Sequence, residues 1–157
     1  MLVVWGIFMG VLNLPFKVVP IEKKDLLEIN KILIKEIGSS QLPHLKECLR
    51  KGYAKKILEK NEIVAFCLLL EYTTHISLSY YYISEEYRRK PISLFFFIHI
   101  FSQINHKPIY VRKNRNFEQY RRYFETTEKN GVIKFTNLRK DFEWAELLKQ
   151  FQKDLVL

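Results

Sequence analysis

Three consecutive cations between two apolar stretches are the feature of this sequence that most plainly suggests chemistry. Arg88, Arg89 and Lys90 follow a tyrosine-rich stretch typical of a strand, and an apolar segment beginning at Ile92 follows them. The first backbone N–H groups of a helix have no partner inside it, and the helix dipole is positive at that end. A helix that starts here, behind three cations, would bind an anion such as a pyrophosphate.

The positive charge of the chain is concentrated in the same part of the sequence. The 157 residues carry a formal net charge of +9. The segment 86–140 holds 13 Lys and Arg against 4 Asp and Glu, so the remainder is neutral. Such a field attracts nucleic acid, a phosphorylated cofactor or an acidic lipid surface, and a merely solvated basic face explains it equally well.

The segment from Tyr80 to Leu94 resembles the acyl-CoA-binding motif of the GNAT superfamily of N-acetyltransferases. In that family a strand leads into an Arg/Gln-x-x-Gly-x-Gly/Ala loop and then a helix. Arg88 takes the first position of the pattern, Pro91 the first glycine and Ser93 the second. The cofactor-binding residues that the resemblance implies are Tyr82, Ile83, Arg88, Arg89, Lys90, Pro91, Ile92, Ser93 and Asn116.

The chain departs from the family pattern at both motif glycines. Glycine lets a ligand approach the backbone closely, and Pro91 also removes one N–H donor. Proline is nevertheless accepted in the first turn of a helix, and the side chain of Ser93 is small. The resemblance in the order of elements extends from about Phe16 to Phe135.

The resemblance implies direct transfer of an acyl group from acetyl-CoA, or another acyl-CoA, to an amine of an acceptor. That chemistry needs a base, an N–H that polarises the thioester carbonyl, and an acid for the leaving thiolate. Tyr123, seven residues after Asn116 as in the family, is the expected acid. His75 is a candidate base and Glu71 the alternative. The backbone near Tyr82 and Ile83 would supply the N–H.

Other constellations in the sequence are weaker. The four histidines, at positions 44, 75, 99 and 106, show no metal-ligand spacing, so no metal is expected. Cys48 and Cys67 stand singly in apolar surroundings without a nucleophile signature. Two isolated cysteines are typical of a reducing compartment, which predicts the cytoplasm.

The periodicity of apolar residues predicts an α/β fold with a single mixed, mostly antiparallel sheet and helices on both faces, as in the GNAT proteins. The Phe- and Ile-rich stretch 93–104 has strand propensity, but its length favours a buried helix. Asp141 is the expected N-cap of the last helix. The predicted helices are 24–37, 41–51, 93–104, 116–128 and 141–155, and the predicted strands are 16–21, 53–58, 63–72, 75–84, 109–112 and 131–137.

The length predicts one domain, over residues 16–157, preceded by an apolar N-terminal arm, residues 1–15. The arm is too short to cross a membrane, which takes roughly 20 residues, so no transmembrane segment is expected. It would pack on the domain or on a second subunit, and a homodimer is therefore a possible assembly.

Two further functions remain open from the sequence. One is a catalytically inactive GNAT-like fold that serves as a binding module through its basic face. The other is a nucleic-acid-binding protein, a less favoured interpretation because no known motif of that class is present. The cations that would contact phosphates are Arg112, Lys113, Arg115, Arg121 and Arg122. The aromatic rings that would stack on bases are Phe117, Tyr120 and Tyr123.

Overall fold

The computed structural model describes residues 15–104 and 106–155, so nearly all of the predicted N-terminal arm, residues 1–15, lies outside the described residues. A seven-stranded sheet and five α-helices, counted over the described residues, confirm the predicted α/β fold class. The described chain divides into two compact units, an N-terminal unit (18–83) and a C-terminal unit (15–17 with 84–155).

The N-terminal unit is an antiparallel meander with two helices. Its strands pair in chain order, β1 with β2, β2 with β3 and β3 with β4. The elements are β1 (Val18–Pro20), α1 (Leu26–Ile37), α2 (Leu42–Lys51), β2 (Gly52–Glu59), β3 (Glu62–Glu71) and β4 (Ile76–Ile83).

The core of the N-terminal unit lies between its two helices and its sheet. Ile29 and Leu33 of α1 are buried one helical turn apart, as the spacing of apolar residues predicts. They join Leu45 and Cys48 of α2 and alternate residues of β3 in one cluster. Gly38 ends α1 with a φ of 95°, a conformation that favours glycine.

One charged pair is buried in the N-terminal unit. Lys56 Nζ on β2 lies 2.5 Å from Oδ2 of Asp25, and the two residues are 5% and 8% exposed. The same carboxylate oxygen accepts the backbone N–H of Glu22 at 2.7 Å. The pair therefore fixes the turn before α1 to β2, and each charge depends on the other for its burial.

The C-terminal unit combines three strands with three helices. Its strands are antiparallel, and β7 pairs with both β5 and β6. The elements are α3 (Ile92–Gln103), β5 (Ile109–Arg112), α4 (Arg115–Tyr120), β6 (Phe124–Lys129), β7 (Val132–Leu138) and α5 (Trp144–Leu155).

The α3 helix is the centre of the C-terminal unit. It is buried on nearly every side, which explains why its sequence has no amphipathic period. The ring of Phe97 lies 5.2–5.4 Å from those of Phe117, Phe124 and Phe135, each at a steep angle. Such edge-to-face contacts are the favoured arrangement of aromatic pairs, so these rings tie α3 to α4, β6 and β7.

Two predicted elements are wrong in detail. The predicted helix 116–128 ends early, at Tyr120, and after a 3-10 turn residues 124–129 form β6. The turn Asn130-Gly131, with φ of 52° and 75°, joins β6 to β7, and this two-residue hairpin overrides the helical spacing upstream. Asp141 does not cap the last helix, because its carboxylate pairs with Arg139 at 2.7 Å and α5 begins at Trp144.

Candidate functional site

The loop after β4 carries the three predicted anion-binding cations. Glu85–Tyr87 form a single 3-10 turn, and the ring of Tyr87 is buried. Arg88, Arg89 and Lys90 are exposed, and Lys90 Nζ lies 5.4 Å from the centroid of the Tyr87 ring. The buried tyrosine anchors the loop, and the cations stand in solvent directly before α3.

The start of α3 offers few but usable backbone donors. Pro91 takes the N-cap position, and its carbonyl accepts the N–H of Phe95 at 3.0 Å. The N–H of Ser93 donates to the carbonyl of Lys90 at 3.2 Å. The N–H groups of Ile92 and Leu94 have no partner within the helix. Two donors and three cations therefore lie within one short stretch of chain.

Ser93 is hydrogen-bonded within the C-terminal unit. Its hydroxyl pairs with the phenol of Tyr120, at the end of α4. Burial raises the pKa of Tyr120 to about 12, although the hydrogen bond from Ser93 acts in the opposite direction. The phenol therefore stays neutral at physiological pH, and this contact fixes the first turn of α3 to α4.

Arg89 adopts a left-handed backbone conformation, with a φ of 69°. A side chain in that region costs about 1–2 kcal/mol, and glycine avoids the cost. We expect Arg89→Gly to raise the free energy of unfolding by about 0.5–1 kcal/mol, since the greater freedom of glycine in the unfolded chain offsets part of the gain. Thermal unfolding followed by circular dichroism measures the change.

The matched control for Arg89→Gly is Arg88→Gly. It removes the same charge and side chain at a position whose φ is −65°, where glycine brings no relief. If both variants shift the melting temperature equally, strain at Arg89 does not contribute to stability.

Tyr82 and Ile83 lie at the end of β4, as expected. Tyr82 pairs with Phe66 of β3, and the two rings stack at 5.0 Å with an interplanar angle of 19°. Ile83 pairs with Ala65 and is buried. Packing on β3 thus holds this end of β4, from which the proposed N–H would come.

Asn116 and Tyr123 lie on different local elements. Asn116 is exposed on α4, and Tyr123 ends the 3-10 turn that follows this helix. The Tyr123 ring lies 5.2 Å from that of Phe142 and 5.9 Å from that of Trp144. Tyr123 is therefore held by an aromatic group, with its ring half-buried.

His75 and Glu71 both lie at the hairpin between β3 and β4. The backbone N–H of Tyr72 donates to the carbonyl of His75 at 2.8 Å, and their rings stack at 5.0 Å. Glu71 accepts a hydrogen bond from the phenol of Tyr53 at 3.0 Å. His75 is seven residues from Tyr82 along β4, which corresponds to about 23 Å of extended strand.

Four of the eight residues named for a nucleic-acid interface are buried or paired with carboxylates. Phe117 and Tyr120 are buried, so their rings belong to the core and do not offer stacking faces. Arg121 pairs with Glu118 at 3.1 Å and with Glu128 at 2.8 Å. Lys113 lies 3.2 Å from Glu128 as well. These contacts reduce both the stacking and the free charge on which that interpretation relies.

The structure also groups polar side chains that the sequence analysis did not select. His44 of α2 and Ser79 of β4 are 35 residues apart in sequence, yet His44 Nε2 lies 3.1 Å from Ser79 Oγ. Neither residue belongs to a local motif, so only the pairing of elements could have revealed them.

Two negative findings apply to residues 15–104 and 106–155. Among the side chains that the structure describes there, no three or more of His, Cys, Asp or Glu are grouped as metal ligands would be. No helix in the same range is long and apolar enough to cross a bilayer.

Comparison with known proteins supports the fold. No family model and no curated protein sequence matches this chain. Among solved structures, it is similar to a GNAT-family acetyltransferase from Bacillus cereus, with 19% identity over 79% of this chain and 99% of that one and a TM-score of 0.62. A GNAT-family N-acetyltransferase from Escherichia coli, solved with CoA, gives 10% identity over 82% and 84% of the two chains and a TM-score of 0.59.

A third similar structure is longer than this chain. It is a candidate acetyltransferase from Pyrococcus horikoshii, with 12% identity, 73% of this chain and only 44% of that chain covered, and a TM-score of 0.63. Sequence identities this low are evidence for a shared fold and not for a shared function. The predicted fold is thereby confirmed, and this chain has the GNAT fold.

Proposed function

We propose that this protein binds acyl-CoA and transfers the acyl group to an amine of an acceptor. The observation that carries the proposal is the exposed cationic loop, Arg88–Lys90, which runs directly into α3 in a chain with the GNAT fold. Cations together with free helix N–H groups suit a pyrophosphate. Two buried free thiols, Cys48 and Cys67, fit a reducing compartment, so we place the protein in the cytoplasm.

The proposed cofactor site uses each part of this segment differently. Arg88 and its two cationic neighbours neutralise the pyrophosphate, and the N–H groups of Ile92 and Leu94 donate to it. Pro91 presets the backbone for the helix but donates no hydrogen bond. Asn116 would hold the pantetheine arm. This arrangement replaces the glycine-rich backbone of the family with side-chain charge.

The proposed reaction is direct attack of the amine on the thioester carbonyl. A backbone N–H near Tyr82 and Ile83 would stabilise the oxygen that becomes negative. Tyr123 would protonate the leaving thiolate, and His75, or else Glu71, would take the amine proton. The acceptor is a primary amine of unspecified identity.

Calorimetric titration with acetyl-CoA and with CoA tests cofactor binding. We expect saturable binding to the wild-type protein and about tenfold weaker binding to Arg88→Ala, because a charge-assisted contact to phosphate is lost. Lys129→Ala is the matched control, since it removes an exposed cation of the same unit outside the loop. Binding should also weaken with salt.

Two outcomes contradict this proposal. If neither ligand binds, the missing glycines have abolished the cofactor site, and the alternative of a binding module becomes the better explanation. If acetyl-CoA binds but Arg88→Ala and Lys129→Ala behave alike, the pyrophosphate does not lie on this loop.

A further inference from the structure

The first turn of α3 carries a serine where the family pattern has its second glycine. Ser93 lies between Ile92 and Leu94, whose backbone N–H groups have no partner within the helix. In an α-helix each Cα–Cβ bond is tilted toward the N-terminus, so the Ser93 side chain leans toward the end at which these donors lie. A hydroxyl in that place can compete with an anion for them.

Serine is a residue that competes readily for backbone donors. Its short side chain carries an oxygen that accepts from nearby backbone N–H groups, which is why serine is favoured at helix N-caps and in turns. Glycine has no side chain that could do so. With Ser93 at the glycine position, the proposed pyrophosphate site therefore contains an acceptor of its own, which blocks the donors unless the hydroxyl is held elsewhere.

Tyr120 of α4 holds that hydroxyl. Its phenol is hydrogen-bonded to Ser93 Oγ, and the tyrosine is 7% exposed. Because burial raises the pKa of Tyr120 to about 12, the phenol keeps its proton at neutral pH. A buried phenol O–H needs an acceptor, and Ser93 Oγ is the oxygen it contacts. The phenol therefore donates to Ser93 and occupies one of the two lone pairs of that oxygen.

The ring of Tyr120 is fixed on the face of α3 that carries Ser93. Phe97 follows Ser93 by four residues, so the two side chains lie one above the other on that face. The Tyr120 ring stacks on that of Phe97 at 5.8 Å with an interplanar angle of 22°, and it meets the ring of Phe117 edge to face at 5.3 Å. The phenol oxygen therefore has a defined position at the first turn, and Ser93 does not have to be reordered when a ligand binds.

We infer that Tyr120 is a positioning residue of the proposed cofactor site, because it holds the Ser93 hydroxyl toward α4 and leaves the neighbouring N–H groups to the pyrophosphate. The inference rests on the proposed function and extends it to a residue that acts through another side chain. The contact restores the access to the backbone that glycine gives in the family pattern. Tyr120, Ser93 and the cationic loop all belong to the C-terminal unit.

Calorimetric titration of four proteins with acetyl-CoA tests the inference: the wild-type protein, Tyr120→Phe, Ser93→Ala and the double variant. Tyr120→Phe removes the phenol oxygen and keeps the ring. The released hydroxyl then turns to the N–H groups, and we expect about fivefold weaker binding. Ser93→Ala removes the competing oxygen itself and should bind within twofold of the wild-type protein. The double variant should also bind within twofold, since no hydroxyl is left for Tyr120 to hold.

Thermal unfolding of the same four proteins separates this role from a purely structural one. Each single variant breaks the same hydrogen bond, so both should lower the melting temperature. The double variant leaves neither partner buried and unsatisfied, so it should recover part of that loss. If the contact only stabilised the fold, binding would follow stability, and Ser93→Ala would be as harmful as Tyr120→Phe. The inference predicts instead that both single variants lose stability and that only Tyr120→Phe loses affinity.

Three results overturn the inference: a Kd of Tyr120→Phe within twofold of the wild-type value, equal losses of affinity in the two single variants, and a double variant that binds as weakly as Tyr120→Phe. If Tyr120→Phe does not fold, Ser93→Ala decides. A Kd within twofold of the wild-type value supports the inference, and weaker binding means that the hydroxyl serves the ligand and does not compete with it. Absence of binding to the wild-type protein is a separate result, which overturns the proposed function and this inference with it.

Discussion

Gly52→Ala is expected to cost at least about 3 kcal/mol of folding free energy, enough to remove much of the stability of a small protein. A β-carbon built on Gly52 would lie 1.8 Å from the carbonyl oxygen of Leu69 and 3.0 Å from that of Cys48. Both obstacles are backbone atoms, one on β3 and one on α2, and the nearer one, on β3, can be cleared only by shifting β2 against β3. Urea unfolding measures the loss.

Gly38→Ala provides the control for this prediction. Gly38 has no atom within 4 Å of a built β-carbon, but its φ is 95°. Alanine there is expected to cost about 1–2 kcal/mol, from backbone strain alone. If Gly52→Ala is no worse than Gly38→Ala, the close approach to Leu69 does not constrain the fold.

Loss of one partner of the buried ion pair is expected to cost about 3–5 kcal/mol, because Asp25→Leu leaves the Lys56 ammonium buried without a counter-charge. Lys56→Met should be similarly harmful, since it strands the carboxylate. The double variant Asp25→Leu with Lys56→Met removes both charges and should fall within about 2 kcal/mol of the wild-type protein. Chemical unfolding of the wild-type protein and the three variants at pH 7 gives the coupling energy between Asp25 and Lys56. If the double variant loses the sum of the two single losses, this prediction is wrong.

The same pair predicts how stability depends on pH. Burial raises the pKa of Asp25, but the hydrogen bonds from Lys56 and from the backbone of Glu22, with the nearby charges, outweigh it and lower the pKa below its ordinary value. The folded state therefore gains stability above the ordinary carboxyl pKa of about 4 and loses it as pH falls through the lowered value. The double variant should lack this part of the acid sensitivity.

Most elements of the fold could be predicted from the sequence because the spacing of apolar residues and the positions of the turn-forming residues indicate the same boundaries. Gly38 ends α1 where it was expected, and β5 has the predicted bounds, Ile109–Arg112. Residues 116–128 were mispredicted because Phe117, Tyr120 and Phe124 satisfy helical spacing while the decisive signal, Asn130-Gly131, lies farther along the chain. Phe124 is buried as a strand residue instead.

Part of the candidate site could likewise be predicted from the sequence, and part could not. The cationic loop is contiguous in sequence, so Arg88–Lys90 could be located without a structure. The contact of His44 with Ser79 could not, because it depends on a one-residue irregularity in the pairing of β3 with β4. Likewise, the contact of Ser93 with Tyr120 joins two helices that sequence spacing does not relate.

The two short hairpin turns also bear on how the chain reaches this fold. Lys60-Asn61, with φ of 50° and 68°, joins β2 to β3, and Asn130-Gly131 joins β6 to β7. Each turn aligns its two strands through neighbours in sequence, so little loop-closure entropy opposes the first contacts. Hairpins of this kind form in about 1–10 μs, long before distant segments meet. Two independent nuclei, one in each unit, can therefore start folding of this chain.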